Sequence, residues 1–306
     1  MATPWDGDPD LVAPNLEKFG KQSVVFSRTY CASPKPDLAL TALLTAKFPH
    51  AAKLDDVALG KLKPYADPKA FEKTPLAVRV SLASAAAPAV GRVHPRGNVP
   101  SENERWARVE LANFYGLLKN VDAALGEILG ALDKLNLAQD TVVCFTSDCG
   151  QQLGSQGLDG AEVAFEESVR IPLAIRYPRK LQPEARDLAS QVDIMPTLAT
   201  LCGMEIPEGV QGRDLFGKEP PELAYSEGRF GEADEWRMLV RGYDKLIATP
   251  KGGVTHFFNL ADDPYELTNL AGDPAQKLQI ASLKAQLLDE MRRLGDGMDP
   301  SGLRKR

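Results

Sequence analysis

The apolar positions of this chain alternate between helical spacing and short continuous runs, which predicts an α/β protein. The most regular segment begins near Ser101 and repeats apolar residues every three or four positions as far as Leu132, with Gly116 as a candidate break. Continuous apolar runs at 141–147 and 171–177 then predict two buried strands. A helix followed by a buried strand is the arrangement that gives a mainly parallel sheet with helices on both faces.

Shorter patterns fill the rest of the first two thirds of the chain. They predict helices at 14–20, 41–47 and 191–203, and strands at 23–27 and 76–81. Prolines interrupt residues 50–104 repeatedly, so that segment predicts little regular structure beyond the strand at 76–81.

The pattern changes after about residue 222. Short β-prone runs separated by turns predict a small antiparallel unit, and an amphipathic pattern at 278–294 predicts a closing helix. We therefore expect two domains, an α/β domain over 1–221 and an antiparallel subdomain over 222–306.

Composition indicates which class of partner to expect and in which cellular compartment the protein acts. The chain has 306 residues and a net charge of −6, which favours solubility and argues against nucleic acid as the main partner. No apolar run approaches the ~20 residues of a membrane span, and the first residues carry no secretory pattern. The four cysteines form no CxxC pair, so reduced buried thiols are expected. These features favour a protein that is cytoplasmic and has no membrane partner.

Several motifs occur in the order found in one enzyme family. They include the segments Val121-Asp-Ala-Ala-Leu-Gly, Phe145-Thr-Ser-Asp-Cys-Gly, Val192-Asp-Ile-Met-Pro-Thr-Leu and Asp263-Pro-Tyr-Glu-Leu-Thr-Asn-Leu. Together they resemble the sulfatases, in particular their iduronate- and choline-sulfatase-like branch. The resemblance implies an alkaline-phosphatase-like α/β sandwich with a small C-terminal antiparallel subdomain, hydrolysis of sulfate esters, and a calcium ion at the site. It also implies that a first, Asp-Asp-bearing strand is missing from this chain, whose N-terminus would then be truncated.

The reaction of that family depends on a cysteine oxidised to formylglycine, within a Cys-x-Pro-x-Arg core. Aligned on Tyr30-Cys31 and on Leu43-Leu44-Thr45, the nucleophile slot falls on Pro36, and the core proline and arginine fall on Leu38 and Leu40. Proline cannot form an aldehyde hydrate. Cys31 is followed by a proline, but that proline lies one position further along than in the Cys-x-Pro-x-Arg core. Cys31 also lies too far from Leu43, so it is expected to be a structural thiol.

The other site residues implied by the resemblance are few. Asp148 occupies a metal-ligand position at the end of a predicted strand, although its neighbour Cys149 is a poor partner for a hard cation. The alternative for Asp148 is a turn residue that caps Gly150. Lys61 would contact sulfate and Lys63 would stand in a histidine position, the alternative being a solvated lysine pair. Ala161 stands where the family pattern has a lysine, and His50, His94 and His256 match no catalytic position. Asp6, Asp8 and Asp10 are expected to form a solvated loop.

Three functions remain open from the sequence. The chain is a sulfatase relative that has lost its reaction, a metal-dependent hydrolase with residual activity through Asp148, or a non-catalytic protein that binds sulfated ligands. The resemblance implies a small-molecule or sugar sulfate ester as the partner. The sequence predicts neither the substrate nor the oligomeric state.

Overall fold

A computed structural model describes residues 11–52, 99–229, 232, 234–249 and 253–297 of the chain. These residues form six α-helices and eight β-strands. In chain order they are α1 (Pro14–Lys21), β1 (Val24–Tyr30), α2 (Pro36–Thr45), α3 (Glu104–Lys134), β2 (Val143–Thr146), α4 (Glu166–Val169), β3 (Arg170–Arg176), β4 (Glu184–Ser190), α5 (Ile194–Leu201), β5 (Leu223–Gly228), β6 (Trp236–Arg241), β7 (Asp244–Thr249), β8 (Gly253–Asn259) and α6 (Lys277–Leu294).

The first sheet has the strand order β2-β3-β1-β4. Strands β1 and β4 are parallel, whereas β3 runs antiparallel to both β1 and β2. Three strands therefore point in one direction and one points against them, so the sheet is mixed where we expected β3 to run with the others. Strand β4 was not predicted, because the sequence Glu-Ala-Arg-Asp at its start is polar and its burial is confined to Leu188, Ala189 and Ser190.

The helices of this layer differ from the prediction mainly at their ends. Helix α2 begins at Pro36 rather than Thr41, because proline is well suited to the first turn, where no N–H is needed. Helix α3 is 31 residues long and continues through Gly116, which is buried. Its N-cap is Asn103, without a side-chain hydrogen bond, rather than Ser101. The predicted helix at 191–203 is a 3₁₀ turn followed by α5, which ends at Leu201.

The second sheet is an antiparallel meander in the order β5-β6-β7-β8, as the sequence predicts. Helix α6 packs on it through Leu283, Leu287 and Met291. The same hydrophobic cluster contains Ala42 and Phe48 from the first part of the chain, and the ring of Phe48 lies 5.0 Å from that of Tyr225. Apolar packing therefore crosses the boundary predicted at 221/222, and the division into two domains stays a prediction.

Two further predictions concern the strand at 76–81 and membrane-spanning segments. The strand predicted at 76–81 lies outside them. Among the helices that the structure describes, none is both long and apolar enough to cross a lipid bilayer.

Candidate functional site

The loops that follow β1, β2 and β4 meet at one edge of the first sheet. These three strands run in the same direction, so their C-terminal ends lie at the same edge, where α/β proteins place ligands. The loop after β1 begins with Cys31, the loop after β2 contains Asp148, and β4 is followed directly by Gln191.

A single side chain, Gln191, joins these three loops. Its Oε1 accepts a hydrogen bond from the backbone N–H of Ala32 at 3.1 Å. Its Nε2 donates to the carbonyl oxygen of Asp148 at 2.7 Å and lies 3.3 Å from that of Ser147. Gln191 is fully buried, so these bonds form the floor of the candidate site. No sequence pattern predicts this role, because the groups that Gln191 binds are all backbone atoms.

Asp148 is exposed and bonded within its own turn. Its Oδ1 accepts from the backbone N–H of Cys149 at 2.7 Å and from the hydroxyl of Ser147 at 3.2 Å. The carboxylate thus caps Cys149, not Gly150 as the turn alternative expected. The same oxygen atom serves both contacts, and the side chain points toward solvent-accessible space at the edge of the sheet.

Gly150 brings the loop after β2 against the segment that leads into β3. Its N–H donates to the carbonyl oxygen of Ser168 at 2.8 Å. A Cβ atom at this position would lie 2.0 Å from the carbonyl oxygen of Glu167, a distance that only glycine permits. The Asp-Cys-Gly sequence therefore has a packing reason for its glycine that is separate from any catalytic role.

The two thiols nearest the site are poor nucleophiles. Cys31 is fully buried, and its Sγ lies 3.8 Å from the carbonyl oxygen of Ser168. Burial raises the pKa of the Cys31 thiol well above its ordinary value, and the neighbouring Cys149 and Asp148 add to that rise. Burial, followed by the charge of Asp148, raises the pKa of Cys149 to about 12. Both thiols are protonated near neutral pH, in keeping with a structural role for Cys31.

Pro36 lies at the first turn of α2, after Lys35 as the N-cap. Its ring carries no oxygen, nitrogen or sulfur atom beyond the backbone, so it offers no group to attack a sulfur centre. Leu40, one turn further along the same helix, is 38% exposed. Its side chain provides no charge with which to orient an anion. Neither Pro36 nor Leu40 therefore offers a polar or charged group to the candidate site.

The described residues of the site do not form a calcium cage. Calcium takes about six to eight oxygen ligands, whereas among the described residues no group of three His, Cys, Asp or Glu side chains that includes Asp148 lies close enough to share one ion. Its neighbour Cys149 offers sulfur, and the Gln191 amide oxygen already accepts from Ala32. These residues alone do not fit a hard cation, and the assignment of Asp148 as a metal ligand stays a prediction.

The remaining sequence candidates are placed as follows. Lys61, Lys63, His94 and the acidic residues Asp6, Asp8 and Asp10 lie outside the described residues. His256 is in β8, where its ring stacks on that of Phe258 and meets that of Phe165 edge to face, at centroid distances of 5.8 Å each, which is a packing role.

A buried ionic cluster lies behind the end of β1. Lys245, on β7, is fully buried and pairs with Glu166 at 2.9 Å and Glu266 at 2.7 Å. The hydroxyl of Tyr30 lies 3.2 Å from Glu166 Oε2. Burial acts to lower the pKa of Lys245, but the two carboxylates outweigh it, so that pKa is raised and the amine stays charged. Burial, with a contribution from Glu166, raises the pKa of Glu266 to about 7.

A second buried cluster combines His50, Glu227 and Asp296. In the described part of the chain, it is the only group of three His, Cys, Asp or Glu side chains close enough together to hold one metal ion. Arg237 already occupies its centre, with Nε 2.5 Å from Asp296 Oδ2 and 3.4 Å from Glu227 Oε2. Because the guanidinium neutralises these carboxylates, the cluster is an ion-pair network and does not fit a cation site.

Comparison with known proteins finds relatives of one kind. The sulfatase family model matches residues 62–204. The chain is 27% identical to the ulvan-active sulfatase of Formosa agariphila, in a match that covers 92% of this chain and 55% of that protein. It is 35% identical to an endo-4-O-sulfatase of Bacteroides thetaiotaomicron, covering 57% of this chain and 40% of that protein. The chain thus spans about half the length of these curated relatives or less.

Solved structures show the same fold. One, bound to its substrate D-glucosamine-2-N,6-O-disulfate, matches with a TM-score of 0.77 at 15% identity, covering 99% of this chain and 97% of that chain. The phosphonate monoester hydrolase of Silicibacter pomeroyi matches with a TM-score of 0.73 at 16% identity, covering 96% and 92%. The alkaline-phosphatase-like α/β fold expected from the sequence is confirmed. The chain is thus similar to sulfatases, through the family model over residues 62–204 and through the curated relatives above, and it shares their fold.

Proposed function

We propose that this chain is a sulfatase-family protein that does not hydrolyse sulfate esters by the formylglycine reaction. The observation that carries the proposal is Pro36 at the first turn of α2, in the nucleophile slot of the sequence motif. A proline side chain has no oxidisable thiol, so neither a formylglycine nor its hydrate can form there. The curated relatives named above are sulfatases, which makes sulfate-ester hydrolysis the reaction whose loss is proposed.

The surroundings of Pro36 support this reading. Leu40 stands where the motif has an arginine, and Ala161 stands where it has a lysine, so two cationic side chains are absent from the sequence pattern. Cys149 takes the position of a metal-binding histidine or asparagine, and its pKa of about 12 keeps the thiol neutral. Cys31, the nearest thiol to the slot in sequence, is fully buried and so is closed to enzymatic oxidation in the folded protein.

The test is expression of the chain together with a formylglycine-generating enzyme, followed by peptide mass spectrometry and a turnover assay. We expect an unmodified Cys31 thiol and no hydrolysis of 4-nitrophenyl sulfate or glucosamine 6-sulfate. A variant that restores the core, Pro36→Cys with Leu38→Pro and Leu40→Arg, controls for delivery of the modifying enzyme through oxidation of the new cysteine. Conversion of Cys31 in the unaltered chain, or turnover above background, would overturn the proposal.

One observation favours an alternative with residual hydrolysis. The carboxylate of Asp148 is exposed at the strand edge where the family binds its metal, and both of its hydrogen bonds within the turn are made by Oδ1. In this alternative the carboxylate would hold a cation that activates water. A non-catalytic role in binding a sulfated sugar is the remaining alternative. It predicts saturable binding of glucosamine 6-sulfate, without turnover, that is weakened by substitutions at this edge.

A further inference from the structure

A cavity of about 340 Å³ lies at the opposite edge of the first sheet from the candidate site. It is enclosed by α1, the C-terminal end of α3, the end of β3 and the loop that leads to β4. Its polar lining includes Lys18, Gln22, Asp133 and Arg176, and its apolar lining includes Leu129 and Leu181. Its volume falls at the lower end of the range, about 300–1,000 Å³, that small-molecule sites occupy.

The strand register shows that this cavity is separate from the candidate site. Arg176 is paired with Val143, the first residue of β2, and its neighbour Ile175 is paired with Val24, the first residue of β1. The candidate site instead follows the last residues of these strands. Strand β1 has 7 residues. At a rise of about 3.3 Å per residue, the two edges are therefore about 20 Å apart.

Arg176 is buried in this cavity wall, and no acidic side chain of the described residues forms an ion pair with it. Its side chain is only 6% exposed. One nitrogen, Nη1, donates to the amide oxygen of Gln22 at 3.3 Å. The other two, Nε and Nη2, are shielded from solvent and have no hydrogen-bond partner among the described residues.

This arrangement is unfavourable for the protein alone. A buried charged donor without a partner costs more than a neutral one, and buried cations are ordinarily paired with an anion. The fork of the guanidinium matches the two oxygen atoms of a carboxylate, phosphate or sulfate group. The cavity wall therefore carries a guanidinium that no carboxylate among the described residues pairs with, and an oxyanion bound in the cavity would balance its charge.

The other lining groups restrict the rest of the ligand. Lys18 is an exposed second cation on the lining, whereas Asp133 would repel a second anionic group. Gln22, Gln139 and Gln182 offer amides that can bind hydroxyl groups, and Leu129 and Leu181 offer apolar surface for a small carbon skeleton. We propose that this cavity binds a small hydroxylated molecule with one oxyanion group, which Arg176 anchors. This site goes beyond the function proposed above and does not depend on it.

The experiment is calorimetric titration of the whole chain at constant ionic strength with inorganic sulfate, inorganic phosphate and glucose 6-phosphate. We expect saturable binding of glucose 6-phosphate, tighter than that of either inorganic ion because of its hydroxyl groups. Arg176→Met should weaken it at least about tenfold, the effect of losing a charge-assisted contact. Arg179→Met is the matched control, because Arg179 lies in the following loop, is exposed and pairs with Asp140. It should leave the affinity unchanged.

Two further variants keep the test decisive. Leu181→Trp fills the cavity while Arg176 remains, and should also weaken binding. Asp148→Ala should have no effect, which separates this cavity from the sulfatase cleft and from the outcome of the turnover assay. Absence of saturable binding of all three probes, or binding that survives both Arg176→Met and Leu181→Trp, would overturn the proposal. Binding abolished by Asp148→Ala would also overturn it, by assigning the ligand to the cleft.

The stability of the unliganded variant gives an independent readout. If Arg176 is kept for a ligand, Arg176→Met should raise the melting temperature without ligand, because it removes an unpaired buried charge. If Arg176 serves the fold alone, the same variant should melt at a lower temperature. That second result would contradict the proposal.

Discussion

The imidazole of His50 forms a buried ion pair with Glu227, with Nδ1 2.8 Å from Glu227 Oε2. The other ring nitrogen, Nε2, lies 3.1 Å from the carbonyl oxygen of Leu294, at the end of α6. Because both neighbours are acceptors, the ring satisfies them only when both nitrogen atoms carry a proton. Burial acts to lower the pKa of His50, but the hydrogen bond and charge of Glu227 outweigh it, and the pKa is raised. Tyr225, Arg237 and Asp296 belong to the same cluster. Glu235 also pairs with Arg237, and Gln211 donates to the same carbonyl oxygen of Leu294.

This raised pKa predicts a loss of stability at alkaline pH. The contribution of His50 is fully present below its unfolded pKa of about 6.5, and it is lost as the pH rises through the higher folded pKa. We expect the free energy of unfolding in urea to fall above pH 6.5, and to fall less in His50→Gln. At pH 6, His50→Gln should destabilise the protein by about 1–3 kcal/mol, because Glu227 loses a donor.

The control for His50 is His256→Gln. Burial, then the charge of Lys245, lowers the pKa of His256, so its contribution has the opposite sign and is lost as the pH falls. A slope above pH 6.5 that is the same with and without His50 would contradict the assignment.

Removing Lys245 should be among the most damaging substitutions in the second sheet. Lys245→Met leaves Glu166 and Glu266 buried without their shared cation, and breaking a buried pair in this way costs about 3–5 kcal/mol. Chemical denaturation measures this loss. Adding Glu266→Gln should recover part of it, whereas the exposed Lys277→Met should change stability by less than about 0.5 kcal/mol. A double variant no more stable than Lys245→Met would argue against direct coupling.

Gln191 should be required for the floor of the candidate site. Gln191→Leu leaves the N–H of Ala32 and the carbonyl oxygen of Asp148 buried or part-buried without this partner. Because each unsatisfied group costs about 1–3 kcal/mol, we expect a loss of at least about 2 kcal/mol in urea unfolding. Gln279→Leu, which removes one exposed bond to Asp244, is the control and should cost less than about 1 kcal/mol.

Gly150 should not tolerate a methyl group. In Gly150→Ala the new Cβ would lie 2.0 Å from Glu167 O, so the loop after β2 must move away from α4. Overpacking of this kind costs about 1–3 kcal/mol, occasionally more, and a thermal melt measures it. Gly272→Ala meets no atom within 4 Å and serves as the control. Equal melting temperatures for the two variants would show that the loop adjusts without cost.

Calcium should have little effect on the described site. A ligand at ~100 times its dissociation constant adds about 2.7 kcal/mol to the folded state, so a thermal melt with millimolar calcium detects a real site. We expect no rise in melting temperature, and a change of less than about 1 kcal/mol in Asp148→Ala, which loses only bonds in an exposed turn. A rise with calcium that Asp148→Ala abolishes would instead support the metal-dependent hydrolase.

Local patterns predicted most of the elements but not how they combine. The spacing of apolar residues located α3, α6 and the four strands of the second sheet, since each of these buries one face. The sequence predicted a mainly parallel sheet but not the reversed direction of β3, because residue composition does not encode whether a buried strand runs with or against its neighbours. Strand β4 was missed because its first residues are charged and its pairing with β1 depends on the fold.

The site was predicted only where the chemistry lies in a motif. Asp148 and Pro36 were located from sequence, because each stands at a fixed distance from recognisable neighbours. Gln191 was not, since its partners are backbone atoms up to 159 residues away. The contact between His50 and Glu227 joins residues 177 positions apart, and no local pattern marks it.

The bonds of Gln191 bear on how such a protein can change over evolutionary time. They are made by a neutral amide to backbone groups, so they do not depend on which side chains occupy the reacting positions. A substitution at Pro36 or Cys149 alters the chemistry of the cleft without removing any bond of its floor. Selection can therefore act on the reaction and on the framework separately, and the framework can outlast the reaction in a lineage.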